Sequence, residues 1–256
     1  MSEQEINSSE EKRQNLTEHL VELRQRIIRI FWIMFIGTIA CWNFAEQLFV
    51  IIKGPIAPYL SAQGLVYTAP MDKFMAFIKI SALGGVIFSA PFWLYQVWAF
   101  IAPALYKNEK KYAAGFIFFG SFQLMLGNLF SYFVVFPMAF KFLMTFGGDA
   151  DKPMITIDHY LSFFFTTMLS FGLAFELPLI LVVLGMLGLI TKQFLKDNRR
   201  YAIVALAVVS AIITPPDLLS MVLMLVPMWL LYEISIVLVG FFEKKRKENE
   251  IQLGLE

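Results

Sequence analysis

One glutamate lies inside a long apolar segment, where few side chains can stabilise its charge. Glu176 sits within the apolar run 171–177, and Pro178 follows it two residues later. A charge at the centre of a bilayer costs about 2.5–3.5 kcal/mol on insertion scales. Because Pro178 cannot donate a backbone hydrogen bond, a nearby polar side chain could satisfy the freed carbonyl or retain water. The carboxyl group is therefore either protonated and structural, or functional in a wet groove, and intramembrane carboxylates are usually functional.

A second candidate, Glu22, lies in a segment with the pattern of an amphipathic helix. Arg26 stands four residues after it, at the spacing of a helical ion pair worth about 0.2–0.5 kcal/mol. On pattern alone, this local pair is the simpler interpretation of Glu22. The apolar residues that recur at helical spacing are Leu16, Leu20, Leu23 and Ile27.

Two further carboxylates have simple local explanations. Glu109 lies in a short connection stiffened by Pro103, and lysines at 107, 110 and 111 surround it. This composition is typical of a basic loop at anionic lipid headgroups. Asp217 follows Pro215 and Pro216 at the start of a segment, where a carboxylate caps a helix and is favoured by its dipole.

The motifs of common enzyme sites are absent from the sequence. It contains no GxxxxGK[ST] phosphate loop, no GxGxxG, no GxSxG and no HExxH. Cys41 is the single cysteine, so an intrachain disulfide is impossible, and His19 and His159 are predicted on opposite sides of the membrane. We therefore expect no enzyme activity, no cofactor and no metal. The net charge of +1 gives no reason to expect a nucleic acid partner.

The elements that must position these carboxylates are long apolar segments. The chain is 58% hydrophobic and 16% charged, against about 25% charged in typical soluble domains. About 20 apolar residues cross a bilayer, and six candidates occur, at about 27–49, 74–101, 112–143, 160–190, 201–214 and 218–242. The fold class predicted is an all-α, polytopic membrane protein with six transmembrane helices. The fifth segment has about 14 residues and spans roughly 21 Å, less than a hydrocarbon core of about 30 Å.

Prolines and basic residues predict the shape and orientation of this bundle. Pro91, Pro137, Pro178 and Pro227 lie within the segments and are expected to kink them into a curved bundle. Lysine and arginine concentrate before the first segment, in alternate connections and after the sixth, so both termini are predicted to be cytoplasmic. We expect a flexible polar tail over 1–15, one transmembrane domain over 16–242 and a cytoplasmic tail over 243–256.

Four blocks of the sequence, in order, resemble the TatC family, the receptor subunits of the twin-arginine protein translocase. They are 19–24 (HLVELR), 89–106 (SAPFWLYQVWAFIAPALY), 171–178 (FGLAFELP) and 214–217 (TPPD). The similarity extends from about residue 16 to about residue 242. One departure is visible, because Met221 stands where the family often has a polar residue.

The resemblance implies a glove-shaped bundle that exports folded proteins independently of the Sec pathway. It implies that Glu22 and Glu109 read the arginine pair of a signal peptide at the cytoplasmic face, and that Glu176, Pro55 and Asp217 match further functional positions. It also implies TatA and TatB single-span partners, the proton-motive force as the energy source, contact with membrane lipids, self-association and a place in the bacterial inner membrane. The neighbouring positions implied for the signal-peptide site are Arg24, Phe100, Pro103, Leu105, Tyr106 and Lys107.

Another class of protein remains as an alternative, a secondary transporter with Glu176 as its coupling carboxylate. Transporters often contain inverted repeats with discontinuous helices in matching positions. Here the two halves of the sequence do not resemble each other, and Glu176 is the one acid expected deep in the bundle. A proton flux assay on the purified protein distinguishes the two classes.

Overall fold

Helices form nearly all of the described chain. The computed structural model describes residues 3–60, 64–104, 113–145, 154–213 and 218–252. In this part of the chain the α-helices are α1 (Glu3–Trp42), α2 (Ala45–Lys53), α3 (Asp72–Phe88), α4 (Ala90–Ile101), α5 (Ala113–Phe130), α6 (Phe136–Thr145), α7 (Ile157–Phe175), α8 (Leu177–Met186), α9 (Lys192–Asp197), α10 (Arg199–Ile213) and α11 (Leu218–Gln252). Two 3-10 helices, Gly54–Tyr59 and Ala102–Ala104, and a π-helix, Ser131–Val135, join them.

Several of these helices are long and apolar enough to cross a membrane. Four spans meet that condition, Leu20–Trp42, Ala114–Thr145, Ile157–Met186 and Met221–Lys245, and the bent pair of α3 and α4 gives a fifth. The remaining predicted segment corresponds to α10, whose 15 residues extend about 22 Å, short of a hydrocarbon core of about 30 Å. The all-α, multi-span fold is confirmed, whereas the count of six and the cytoplasmic position of both termini stay predictions.

Three of the four prolines lie at breaks in the spans. Pro91 is in the first turn of α4, and α3 and α4 are bent by 56°. Pro178 is in the first turn of α8, directly after the break at Glu176. Pro137 follows the π-helix in the third span. A proline lacks the backbone donor that an uninterrupted helix requires, which explains these positions. Pro227 lies inside the continuous helix α11.

The buried side chains form two clusters, one toward each end of the bundle. We call the end that contains Gly54–Tyr59 and the start of α7 the outer end, and the end that contains α9 the inner end. The outer cluster includes Ile56, Phe136 and Phe164, with the rings of Phe136 and Phe164 stacked 4.5 Å apart. The inner cluster includes Trp98, Phe171, Val183, Tyr232 and Val239. Large apolar side chains such as Phe118 and Val237 are exposed on the outside, as expected in lipid.

Helix α1 is the most peripheral of the candidate spans and depends on a close crossing with α3. Only 6% of its most apolar window is buried, against 44% for Ile157–Met186. Gly37 and Gly85 make the crossing possible: a Cβ atom at Gly85 would lie 2.5 Å from the backbone nitrogen of Thr38. Any side chain at Gly85 would force the two backbones apart. The segment predicted as a polar tail is helical from Glu3 and continuous with this span.

Candidate functional site

Glu22 is positioned by α1, one turn before the apolar part of the helix, and it contacts a guanidinium. Arg26 donates to the same carboxylate oxygen, Oε1, from Nη2 at 2.5 Å and from Nε at 3.0 Å. The Glu22 side chain is 34% exposed and that of Arg26 is 17% exposed. The helical ion pair expected from the spacing is therefore present. The carboxylate remains accessible from outside the bundle.

The structure describes three of the residues predicted to lie beside Glu22. Arg24 is exposed on α1, Phe100 is half-buried in the last turn of α4, and Pro103 is exposed in the 3-10 turn that follows. Helices α1 and α4 pack against each other, so the two elements that lead to the site are neighbours. Glu109, Leu105, Tyr106 and Lys107 lie outside the described residues, and so does Asp217.

Glu176 occupies the break between α7 and α8 and is almost completely buried. It is 5% exposed, and among the described residues neither of its carboxylate oxygens has a hydrogen-bond partner. Its Oε2 faces α5 and would lie 3.4 Å from a Cβ atom at Gly120. Buried polar groups are nearly always hydrogen-bonded, so an unpartnered buried carboxyl group requires an explanation. A carboxyl group can accept a hydrogen bond when ionised and also donate one when protonated, so a polar group of another molecule could become its partner.

Other polar atoms in the spans are also buried without a partner among the described residues. They include the side-chain oxygens of Gln96, Gln123, Asn128 and Thr167. Asn128 donates its amide hydrogen to the carbonyl of Leu124 at 2.8 Å, which leaves its own oxygen as an acceptor. In the described residues, no group of three or more His, Cys, Asp or Glu side chains could hold a metal ion.

Pro55 lies at the outer end, in the first turn of the 3-10 helix, and is half-buried. Two tyrosines hold the preceding turn of α2. Tyr160 donates its hydroxyl to the carbonyl of Ile52, and Tyr132 donates to the carbonyl of Ile51 at 2.8 Å. Pro55 is therefore part of a loop that the bundle fixes in place.

Comparison with known proteins decides the family. The model of the family described as Sec-independent protein translocase protein (TatC) matches residues 18–227. The chain belongs to the TatC family. Similar proteins described as Sec-independent protein translocase protein TatC include one from Desulforapulum autotrophicum, 38% identical over 95% of this chain and 90% of that protein. Another, from Aquifex aeolicus, is 41% identical over 91% of this chain and 98% of that protein.

Solved TatC structures agree with the fold. A crystal structure described as the twin arginine translocase receptor TatC superposes with a TM-score of 0.76 at 40% identity, covering 88% of this chain and 99% of that one. A second, of the same receptor in DDM, gives a TM-score of 0.77. The family and the multi-pass place in the bacterial inner membrane that the sequence predicted are thus confirmed. TatC is a family of translocase components rather than a known enzyme family.

Sequence reasoning missed two ion pairs of this TatC-family chain. Glu233 lies in the span Met221–Lys245 and pairs with Arg199 of α10 at 2.7 Å. Its side chain is 30% exposed, against 5% for Glu176, so Glu176 is the more deeply buried of the two acids. At the outer end, Lys79 of α3 contacts Asp158 at 2.5 Å and Ser162 at 2.8 Å, both on α7. The sequence did contain a sign that Glu233 is unusual, because this glutamate interrupts an apolar run. Its partner is distant in sequence and could not be read from spacing.

Proposed function

We propose that this chain is the receptor of a twin-arginine translocase and binds the signal peptides of folded cargo proteins at its inner end. The observation that supports this most directly is the geometry at Glu22. This accessible carboxylate already accepts two hydrogen bonds from the guanidinium of Arg26. The similarity to a crystallised twin arginine translocase receptor supports the same assignment. In this role the chain binds and positions cargo without catalysing a reaction itself.

Recognition of the signal peptide follows from the chemistry of the guanidinium group. An incoming arginine would replace Arg26 on Glu22, exchanging one charged hydrogen-bonded pair for another, so the cost of removing water from the carboxylate is already met in the free protein. A second arginine would be read by Glu109, from the connection after α4. Lysine, a compact and strongly hydrated charge with no planar fork, would fit this pair of carboxylates less well. The residues proposed to surround the bound peptide are Arg24, Phe100, Pro103, Leu105, Tyr106 and Lys107.

Glu176 is proposed to act later, inside the membrane. Its carboxyl group is buried, and no described residue offers it a hydrogen bond. A polar group on an inserted signal peptide or on a single-span TatA or TatB helix would supply the missing partner. In hydrocarbon such a bond is favoured because the alternative is an unsatisfied group. Transport driven by the proton-motive force, self-association of the receptor, and roles for Pro55 and Asp217 belong to the same proposal.

The experiment is site-specific crosslinking of a twin-arginine signal peptide to the full-length protein in membranes. A twin-lysine peptide is compared with it, and Glu22→Ala and Glu109→Ala are tested in parallel. Glu46→Ala is the matched control, because Glu46 is an exposed acid in the first turn of α2 at the outer end. We expect strong crosslinking only for the twin-arginine peptide, with loss in the first two variants and none in the control. Equal crosslinking in all cases would mean that the two glutamates are ordinary surface ion-pair residues.

A secondary transporter is the competing function, and the burial of Glu176 is the observation that favours it. Proton flux into vesicles containing this protein alone tests it. A receptor requires partners for transport and gives no flux above empty vesicles. Flux that disappears in Glu176→Gln would support the transporter instead.

A further inference from the structure

A side-chain hydrogen bond crosses the bend between α3 and α4. Trp93, in the first turn of α4, donates its indole Nε1–H to the carbonyl oxygen of Val86 at 3.1 Å. Val86 lies in the last turn of α3, and the two helices are bent by 56° around Ser89. Residues seven apart lie on the same face of a helix, two turns from each other. The bond therefore connects the two sides of the bend along one face.

Two polar contacts that commonly secure such a break are not made here. Pro91 has no backbone hydrogen, so it cannot donate to the carbonyl of Ile87 as an uninterrupted helix requires. Ser89 is at the N-cap of α4, but its buried hydroxyl makes no capping bond and has no partner among the described residues. Backbone bonds from both sides meet at Ser89, whose nitrogen donates to Gly85 and whose carbonyl accepts from Phe92, each at 3.0 Å. The two helices are thus joined through one residue, and a further contact is needed to fix the angle between them.

The burial of Trp93 suits it to fix this angle. Its side chain is 8% exposed and belongs to the inner cluster of buried residues. A buried indole N–H usually has a hydrogen-bond partner, and hydrocarbon offers no water to replace a partner that is lost. The bond to Val86 therefore favours this bend over any angle that would separate the donor from its acceptor.

The angle at Ser89 determines where the inner half of α4 lies. From Ser89 to Pro103 the chain extends about 20 Å, so a change of about 10° in the bend would move Pro103 by about 3 Å. Phe100 and Pro103 lie at this end of the helix, and both belong to the proposed signal-peptide site beside Glu22. Binding sites require their residues to be held within about 0.5 Å of the correct geometry. A change in the bend would therefore disturb the site.

We propose that Trp93 is a positioning residue for signal-peptide recognition. It sets the angle between α3 and α4, and in this way it holds Phe100 and Pro103 in register with Glu22. This inference rests on the proposed receptor function. Trp93 lies about 10 Å along the helix from Phe100 and acts without touching the peptide. Its role depends on the N–H group, because an aromatic ring without that group would still pack in the inner cluster but would not hold Val86.

An isosteric replacement of tryptophan in the full-length protein tests the proposal. Trp93→3-benzothienylalanine, introduced by codon suppression, keeps the bicyclic shape but carries sulfur in place of the indole N–H. The packing, and with it the fold, is therefore retained. Trp98→3-benzothienylalanine is the matched control, because Trp98 is also buried on α4, with its ring 4.8 Å from that of Phe116.

The bend is measured as a distance between two spin labels, by double electron–electron resonance. Met75→Cys and Ala102→Cys place one label on each side of Ser89, and Cys41→Ala removes the native thiol. The helical rise and the 56° bend place the two labelled backbone positions roughly 36 Å apart. The affinity for a twin-arginine peptide is measured by fluorescence anisotropy on the unlabelled proteins.

We expect one narrow distance distribution for the unmodified protein and for the Trp98 control. Replacement of Trp93 should shift or broaden that distribution by about 2 Å, the change that a rotation of about 10° produces. Peptide affinity should fall about fivefold. That ratio corresponds to about 1 kcal/mol, the usual net contribution of one hydrogen bond.

Three results would overturn the proposal. An unchanged distance distribution would mean that packing alone fixes the bend. A changed distribution with unchanged peptide affinity would mean that the bend does not position the site. Equal effects at positions 93 and 98 would show a general response to the altered ring. If the unmodified protein bound no twin-arginine peptide, the receptor function would fail and the role in recognition with it, whereas the distances would still show whether Trp93 fixes the bend.

Discussion

The outer end of the bundle and the surroundings of Glu22 at the inner end are held together differently. At the outer end, side chains connect elements far apart in sequence: Lys79 reaches Asp158 across helices, and Tyr160 reaches the carbonyl of Ile52. The inner end also has contacts between distant elements, since Arg199 of α10 reaches Glu233 of α11. At Glu22, however, the contact with Arg26 lies within a single helix. The outer end is therefore fixed in one arrangement, whereas the contact of Glu22 with Arg26 can be exchanged without separating two elements, as a receptor requires.

The largest expected effect tests the inner end. Glu22→Ala removes a charged acceptor for arginine, and hydrogen bonds to charged groups contribute about 1.5–3 kcal/mol. We expect twin-arginine peptide affinity to fall about 30-fold or more, with the midpoint of thermal unfolding unchanged. Fluorescence anisotropy with a labelled peptide and unfolding in detergent provide the two readings. A large fall in stability would show that Glu22 is as structural as the outer-end contacts.

The outer end should respond in the opposite way. Tyr160→Phe removes the bond to the carbonyl of Ile52 at a buried position and is expected to cost about 1–2 kcal/mol of unfolding free energy. Peptide affinity should not change. Tyr132→Phe is the matched control, because its bond to Ile51 is exposed and should cost less. If Tyr132→Phe lowered the unfolding free energy more than Tyr160→Phe did, burial of the hydrogen bond would not explain the stability of this end.

A double-mutant cycle on Lys79 and Asp158 measures how strongly the outer end is coupled. The two side chains are 29% and 42% exposed, so their coupling should lie near that of a favourable surface pair, about 1 kcal/mol. Thermal unfolding of Lys79→Met, Asp158→Asn and the double variant provides the cycle. A coupling near zero would leave the tyrosine contacts as the main link at this end.

The smallest expected effect tests whether an incoming arginine takes the place of Arg26 as the partner of Glu22. Arg26→Gln removes the guanidinium that an incoming arginine must replace, and a helical pair of this spacing is worth about 0.2–0.5 kcal/mol. Peptide affinity should therefore rise about twofold. Arg29→Gln, one turn further along α1, is the control and should leave affinity unchanged. Weaker binding in Arg26→Gln would mean that Arg26 orients Glu22 for the peptide instead of competing with it.

Local patterns predicted the all-α, multi-span fold and the helical ion pair, but they could not predict contacts between elements that are distant in sequence. The Glu22–Arg26 pair follows from helical spacing, and the break at Glu176 follows from Pro178. By contrast, Lys79 and Asp158 are 79 residues apart, and Arg199 and Glu233 are 34 apart. Which charged side chains meet depends on how the helices cross. The crossing depends in turn on small residues, and no local sequence pattern shows which helix such a residue will contact. The resemblance to TatC predicted the site residues, and whether Glu22 and Glu109 meet is still a prediction.

The glycine crossing of α1 and α3 has a consequence for how the chain is made. Because α1 precedes the other described spans in the chain and buries little of its surface, it can enter the bilayer before those spans are made. Its docking waits for α3, whose Gly85 provides the close approach to Thr38. A bulky residue at position 85 would not affect the synthesis or insertion of α1. The helix would then remain in the bilayer without packing against α3. Membrane proteases that degrade misassembled proteins would then encounter a full-length chain in which α1 is not packed against the rest of the bundle.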